Sequence, residues 1–280
     1  MDQLTEDSFE QAIEIFLGSS VIDLRKMKFI DPFGMIAILE LGEFLKAEAV
    51  QAKNLRLPES EEVLKYLERM DFFKFAGRYF ILDPAIKPVK IKYLRSSESD
   101  VLLEITPIEK SDDIHFIVGR VKDRAQWILQ RHLHYDERAI NGFIVALSEV
   151  CQNIVEHSEY RGFVGIQKYH WKIMEKNIVK IAVMDIGMGF RKSLSERFPF
   201  SSDIEAIDMA LLKGVSRHAD EGRGHGLVAV RKFIEECDGM LTLRSGTAKR
   251  YLNAMFGRRK KRSDLTFFPG AQISIILPEV

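Results

Sequence analysis

Three polar residues recur at every fourth position of an otherwise apolar stretch: Glu149, Asn153 and His157. A step of four residues turns an α-helix only ~40° beyond a full turn, so Glu149 and Asn153 must project from neighbouring points of one helix surface. A carboxylate there can take a proton from an attacking hydroxyl, and an amide oxygen is a hard ligand that suits Mg²⁺. The pairing suggests nucleotide chemistry, although a solvated helix face carrying polar residues by chance would look the same. His157, at the helix exit, is interpreted as a structural or capping residue.

A second group of residues with chemical potential follows an apolar strand, in the order Asp185, Gly187, Gly189. Glycines at alternate positions permit unusual dihedral angles and let a flat ligand approach the backbone. A single carboxylate at the bottom of such a slot could accept a hydrogen bond from an exocyclic amine, which would select adenine over guanine. Taken alone, the motif fits a tight strand exit with a solvated aspartate equally well.

A third group consists of glycines at alternate positions, Gly222, Gly224 and Gly226, directly before an apolar helix that starts at Leu227. Backbone N–H groups and the positive end of that helix could hold phosphate oxygens. The segment is not a Walker loop, because no Gly-Lys-Ser/Thr follows, and no strand precedes it as a dinucleotide-binding motif requires. A glycine-rich turn without a ligand is the alternative. The long polar connector before it, 190–221, is expected to be a lid or disordered.

The elements that must position these residues follow from hydrophobic periodicity. The pattern of strands and helices places the helix with Glu149 and the strand before Asp185 in one α/β unit. A basic run at 258–262 is interpreted as a solvated loop. The predicted elements of this unit are strands at 101–108, 163–171, 178–184, 241–245 and 272–277, and helices at 112–133, 139–157, 204–212 and 227–237.

The N-terminal part of the chain alternates short strands and helices, which is the pattern of a small α/β unit. Asp31 and Pro32 are well placed as the cap and first residue of an apolar helix. Two prolines, basic residues and a serine and acid cluster over 83–100 indicate a boundary, so we predict domains at 1–95 and 96–280. The predicted N-terminal elements are helices at 7–17, 35–49 and 61–70 and strands at 21–24, 28–30 and 53–57.

Composition limits the classes of function. The 280 residues are 46% hydrophobic and 29% charged, which is globular composition. The 41 Lys plus Arg balance 41 Asp plus Glu, so no global field favours nucleic acid or an anionic membrane. No apolar run approaches the ~18–20 residues of a bilayer span and the N-terminus lacks a signal peptide's pattern, so a cytoplasmic protein is expected. Two cysteines, Cys151 and Cys237, are interpreted as packing thiols.

Taken together and in this order, the three groups resemble the GHKL ATPase superfamily, which includes gyrase and the histidine kinases, and within it the anti-sigma-factor serine kinases. The resemblance covers about residues 101–280. It implies that Asn153 holds Mg²⁺, that Asp185 recognises adenine and that Glu149 is the general base. It also implies that the lid and phosphate site are shaped by Gly187, Gly189, Gly222, Gly224, Gly226 and Leu227. The chain departs at 269–272, where Pro-Gly-Ala-Gln replaces the family's Gly and threonines, so an adenine-side hydroxyl is expected to be missing.

Residues 18–80 resemble the STAS domain, the fold of anti-sigma-factor antagonists. Where regulated members carry Asp-Ser-Ser-Gly, with the second serine phosphorylated, this chain has Asp31, Pro32, Phe33 and Gly34. The resemblance implies a protein-docking module, and the missing hydroxyls argue against phosphorylation at this turn. Phe33 is interpreted as a buried helix-start residue, with an aromatic docking contact as the alternative.

The sequence therefore predicts an α+β fold, with a C-terminal two-layer α/β sandwich of the GHKL ATPase type and a smaller N-terminal STAS-like domain. The predicted function is a signalling regulator that binds ATP with Mg²⁺ and transfers the γ-phosphate to a partner's serine or to water. The alternative is a nucleotide-gated protein-binding module with little or no turnover. The expected partner is a regulatory protein such as a STAS-type antagonist or a sigma factor, a homodimer is left open, and neither membrane nor nucleic acid is expected.

Overall fold

The N-terminal half alternates short strands and helices, as predicted. In the computed structural model, residues 1–85, 100–158, 160–172, 175–195, 197–213, 226–253 and 261–280 are described. The first half contains β1 (Gln3–Leu4), α1 (Phe9–Gly18), β2 (Val21–Asp23), β3 (Phe29–Ile30), α2 (Pro32–Ala47), β4 (Asn54–Arg56), α3 (Glu61–Arg69), α4 (Phe73–Ala76) and β5 (Ile81–Asp83). Strands β2, β4 and β5 form a parallel sheet, and β1 pairs with β3 in parallel. The elements missed by prediction, β1, α4 and β5, are too short for periodicity to indicate.

The C-terminal half is built on one antiparallel sheet in the order β11-β10-β9-β12-β8-β7-β6. Its elements are β6 (Val101–Ile108), α5 (Ser111–His132), α6 (Glu137–His157), β7 (Gly162–Trp171), β8 (Lys176–Asp185), α7 (Gly189–Leu194), α8 (Asp203–Lys213), α9 (Gly226–Glu236), β9 (Met240–Gly246), β10 (Ala248–Leu252), β11 (Lys261–Arg262) and β12 (Phe268–Pro278). The predicted α+β class is confirmed.

Helices α5, α6, α8 and α9 cover one face of this sheet. Asp136 caps α6 by accepting a hydrogen bond from the Ala139 backbone N–H at 2.8 Å. The apolar stripe of α6, which includes Phe143, Leu147 and Val150, is completely buried in the core between helices and sheet. Because the stripe occupies one side of α6, the polar side chains of the same helix are turned towards the edge of the layer.

The N-terminal half covers the opposite face of the sheet, where α2 lies against β7 and β8. The start of α2 follows the prediction, since the Asp31 carboxylate accepts a hydrogen bond from the Gly34 N–H at 2.8 Å and Pro32 is the first helical residue. Phe33 is completely buried, with its ring edge-on to Phe9 at 5.6 Å between centroids. Its interpretation as a buried helix-start residue is confirmed.

Six buried charged side chains join the two halves, and we call them the interface network. The acids come from the N-terminal half and the bases from the sheet: Glu6, Glu10 and Asp31, with Lys180, Arg244 and Lys249. Lys180 donates hydrogen bonds to Glu6 and Asp31, Arg244 donates to Glu10, and Lys249 donates to the Glu6 backbone carbonyl. The balanced charges and their hydrogen bonds offset the high cost of burying an isolated ion. The predicted division at 95/96 stays a prediction, although both halves share this contact.

Two elements near the site, α7 and β10, were not predicted. Helix α7 has only six residues, and β10 carries charged residues that hide its alternation. The hairpin of β9 and β10 turns at Gly246, whose φ of +60° favours glycine. Within the described ranges, no helix combines the length and the apolar character needed to cross a membrane.

Candidate functional site

A cavity opens between the polar side of α6 and the end of β8. Asn153 from α6, Asp185 from the end of β8 and Ser193 from α7 supply its polar side chains. The remaining lining is apolar or backbone: Val150, Ile154, Val183, Gly189, Phe190, Ala271 and Ile273. A mostly apolar slot with a few convergent polar groups is typical of a site for a flat organic ligand.

Asp185 is buried, and its carboxylate is held by three donors. The Gly187 N–H donates to it at 2.6 Å, and the Ser158 hydroxyl and Ala271 N–H also bond to it. Burial raises the pKa of Asp185 to about 6 even though these hydrogen bonds lower it. A carboxylate offers about four lone-pair positions, so acceptor capacity remains for one donor from a ligand.

Asn153 presents an amide to the same cavity. Its Nδ2 atom is buried and has no hydrogen-bond partner among the described residues. Leaving such an atom unpaired costs about 1–3 kcal/mol, so a polar ligand or water is expected to meet this amide. The cavity thus brings together Asn153 and Asp185, the two predicted ligand-contacting side chains that belong to different elements.

Glu149 lies one helical turn before Asn153 and is half-buried against the start of α9. A Cβ atom added at Gly226, the first residue of α9, would collide with the Glu149 carboxylate. Burial, followed by the charge of Glu156, raises the pKa of Glu149 above its usual value. A carboxylate with a raised pKa is a stronger base, which is what general-base catalysis needs.

The predicted glycines have different outcomes. Gly187 packs so closely on Ser158 that a Cβ there would collide with its hydroxyl, and Gly189 has a φ of +69° beside Ser245. Gly226 stands at the start of α9, and Leu227 is buried in that helix. Gly222 and Gly224 lie outside the described residues, and so does the end of the predicted lid, 214–221. The side chain of His157 also lies outside them.

Sequence reasoning missed several residues that shape this site. Ser158 and Gln272 both bond to Asp185, the first to its carboxylate and the second to its backbone carbonyl at 3.3 Å. Ser245 accepts a hydrogen bond from the Phe190 N–H at 3.1 Å and donates to the Gly270 carbonyl at 2.7 Å. Their positions depend on strand register across distant segments, which periodicity does not reveal. Ser193, which sequence reasoning did not single out, supplies a hydroxyl to the cavity from α7.

Glu40 of α2 adds a carboxyl group from the N-terminal half. It is fully buried, and neither of its oxygens has a hydrogen-bond partner within the described chain. Burial, and secondarily the charges of Asp185 and Glu43, raises the pKa of Glu40 well above its usual value. The surroundings of Glu40 therefore favour its protonated form, whereas the three donors around Asp185 favour its charged form.

Gly270 lies in the β12 bulge that covers Asp185, and we expect Gly270→Ala to destabilise the fold. Its φ is +74°, and a Cβ would collide with the Asp185 backbone carbonyl. Left-handed backbone and overpacking together should lower the free energy of unfolding in urea by about 2–5 kcal/mol. Gly77→Ala is the control, because φ there is −66° and nothing lies within 4 Å of the added Cβ. Equal stability of the two variants would contradict this prediction.

Comparisons with known proteins add little. No family model matches the chain, and no curated protein sequence matches it. Among solved structures, it is similar to the histidine kinase domain of the blue-light-activated histidine kinase EL346 from Erythrobacter litoralis, with a TM-score of 0.28 and 11% sequence identity. That superposition covers 98% of this chain and 93% of the other. A likeness this weak carries no argument, so the GHKL and STAS resemblances stay predictions and the function rests on the site.

Proposed function

We propose that the chain binds Mg-ATP in the cavity between α6 and the end of β8 and transfers the γ-phosphate to a partner's serine or to water. One observation carries this proposal. A carboxylate and an unpartnered amide from separate segments, Asp185 and Asn153, line one apolar cavity, with Glu149 one turn away at the start of α9. Each of the three groups has a distinct part in nucleotide chemistry.

Asp185 suits the base of the nucleotide. Its ionised carboxylate can accept a hydrogen bond from the exocyclic amine of adenine, while guanine would present a carbonyl at that position and repel it. The walls contributed by Val150, Val183 and Ile273 suit the apolar faces of a purine ring. The cavity therefore supports selection of adenine over guanine.

Asn153 suits a magnesium ion that is held chiefly by the nucleotide. The described residues contain no group of three or more His, Cys, Asp or Glu side chains that could hold a metal on their own. Mg²⁺ in phosphoryl-transfer sites is usually bound through one or two protein oxygens, water and the substrate phosphates. The side-chain oxygen of Asn153, and not its unpartnered Nδ2 donor, would be the ligand in that pattern, and the bound ion would neutralise phosphate charge.

Glu149 is the candidate base that takes the proton from the attacking hydroxyl. Gly226 brings the start of α9 against this carboxylate, so phosphates that bind the N–H groups at the start of that helix would lie beside it. The acceptor belongs to another molecule or is water, because Asp31 and Phe33 at the STAS-like turn are buried on the opposite face of the sheet.

Incubation of the full chain with Mg-ATP labelled on the γ-phosphate, with and without candidate regulatory proteins, tests the proposal. Label on a partner's serine would identify a kinase, and released phosphate would identify an ATPase. Saturable binding without either product would identify the nucleotide-gated binding module. If calorimetry detects no binding of Mg-ATP, the proposal is wrong in all three forms.

Adenine affinity should depend on the ionisation of Asp185. Its raised pKa, about 6, means that the carboxylate is charged above pH 7 and increasingly protonated below pH 6. Affinity for a non-hydrolysable ATP analogue should thus fall as pH drops, by about tenfold between pH 7.5 and 5. The matching GTP analogue, titrated in parallel, corrects for protonation of the phosphates.

Asp185→Asn should weaken binding of the ATP analogue at pH 7.5 by about 10–100-fold, since it removes a hydrogen bond to a charged group. It should also flatten the pH profile. Asp238→Asn is the control, because Asp238 is exposed in a turn with a φ of 49° that asparagine tolerates. An unchanged preference for adenine in Asp185→Asn would remove Asp185 from base recognition.

A further inference from the structure

We propose that Glu10, Arg244 and Gln272 form a relay that positions Asp185, so that base recognition depends on the N-terminal half of the chain. The inference rests on the function proposed above and assigns positioning residues to that site. None of the three touches the cavity. They are linked by hydrogen bonds that run from α1 through β9 and β12 to the backbone of Asp185.

Arg244 is the middle of the relay and is completely buried. Its Nε donates to the two Glu10 oxygens at 3.1 and 3.2 Å, and one terminal nitrogen donates to Glu10 at 3.2 Å. The other terminal nitrogen donates to the Gln272 side-chain oxygen at 3.2 Å and the Gly246 carbonyl at 3.1 Å, and the Thr266 carbonyl accepts a further bond. Because every N–H group of this guanidinium has an acceptor, the guanidinium holds a single orientation, which the negative charge of Glu10 stabilises.

Gln272 transmits that orientation to the site. Its side-chain oxygen accepts from Arg244, and its Nε2 donates to the Pro269 carbonyl at 2.7 Å and the Asp185 carbonyl at 3.3 Å. Rotating the amide by half a turn would set its oxygen against two carbonyls and its nitrogen against a guanidinium. The arrangement around Gln272 therefore holds only one amide orientation.

The relay ends on the segment that provides a donor to the Asp185 carboxylate. Strand β12 bulges between Phe268 and Ala271, and the Ala271 N–H bonds to that carboxylate. Because Gln272 ties Pro269 and Asp185 together, it fixes the distance from this N–H to its acceptor. Loss of the tie should weaken the hydrogen bond that favours the charged form of Asp185.

The other charged groups near Asp185 cannot replace the relay. Glu40, from α2, is fully buried and has no hydrogen-bond partner among the described residues. Arg161, which precedes β7, faces the carboxylates of Glu43 at 4.0 Å and Glu109 at 3.2 Å. The donors that hold the Asp185 carboxylate are thus Gly187, Ser158 and Ala271, and of these only Ala271 adjoins the relay.

Two variants of the full chain test the relay, each compared with a matched control. Gln272→Met keeps the side-chain volume but removes the hydrogen bonds, and Glu10→Gln keeps the shape but removes the charge that orients Arg244. Glu14→Gln is the control, because Glu14 lies one turn further along α1, is exposed and, among the described residues, accepts a hydrogen bond only from the Thr266 hydroxyl, at 3.0 Å. Carbon-13 NMR of the aspartate carboxyls, assigned with Asp185→Asn, follows the Asp185 titration without any ligand.

We expect the Asp185 titration midpoint to rise in Gln272→Met and Glu10→Gln and to stay in place in Glu14→Gln. The two relay variants should also bind the ATP analogue about threefold to tenfold more weakly at pH 7. An unchanged Asp185 midpoint in a folded Gln272→Met variant would overturn the relay. If Glu10→Gln does not fold, Gln272→Met alone tests the proposal. Failure of the wild-type chain to bind nucleotide would refute the proposed function alone, because the midpoint measurement judges the relay independently.

Discussion

Replacing Glu149 by Gln is expected to lower turnover of Mg-ATP by about 10²- to 10⁴-fold, the usual contribution of a general base. Glutamine keeps the shape of the side chain beside Gly226 but cannot accept a proton. Nucleotide affinity should be unchanged or slightly tighter, because a negative charge near the start of α9 is removed from the vicinity of the phosphates. A fall in the maximal rate with preserved affinity indicates an interaction made in the transition state.

The control for this variant is Glu137→Gln, which changes an exposed acid in the first turn of the same helix. Steady-state phosphate release and calorimetric affinity should be measured for both variants at several pH values. Wild-type turnover should decline as pH falls through the raised pKa of Glu149. If Glu149→Gln retains turnover within a factor of about two, the base has been assigned to the wrong residue.

Replacing Lys180 by Met is expected to lower the free energy of unfolding by about 3–5 kcal/mol, the usual cost of removing one member of a buried ion pair. Lys180 is the shared hydrogen-bond donor of Glu6 and Asp31, and all three side chains are buried. Without the ammonium group, two carboxylates face each other away from water. Since a typical domain is stable by only about 5–15 kcal/mol, urea denaturation should resolve this loss easily.

The pH dependence gives Lys180→Met a second signature. Without Lys180, the folded-state pKa values of Glu6 and Asp31 should lie above their unfolded values, so protonation favours the folded state. The deficit relative to wild type should therefore shrink as pH falls and grow as pH rises. Lys65→Met is the control, because its pair with Glu61 at 3.2 Å is exposed and worth at most about 0.5 kcal/mol. Equal stability of both variants would show that the interface network contributes nothing.

The sequence predicted most longer elements of the fold within a few residues, because their apolar periodicity comes from packing on one sheet. Helix α6, expected at 139–157, starts at Glu137 and ends at His157. The placement of the N-terminal half on the outer face of the sheet was not predicted. It depends on pairs such as Lys180 with Asp31, and no local pattern shows which distant charges will meet.

For the site, spacing along one helix was informative and contacts between strands were not. The step of four from Glu149 to Asn153 fixed their common surface, and a strand exit located Asp185. Ser158 and Gln272 hold Asp185 in place, but neither residue belongs to one of the three motifs in the sequence. The role of Gln272 arises from strand register and the β12 bulge, and the role of Ser158 arises from the end of α6 lying against Gly187, so both need the folded backbone.

The interface network also sets an order of events during protein synthesis. Its hydrogen bonds span 149 to 243 residues of sequence, and its acids are made before its bases. The N-terminal segment must therefore leave the ribosome with Glu6, Glu10 and Asp31 still hydrated. It can pack fully against the sheet only after Lys249 has left the ribosome. Contacts of such long sequence separation form slowly, so this chain should complete its folding late, after translation of nearly its whole length.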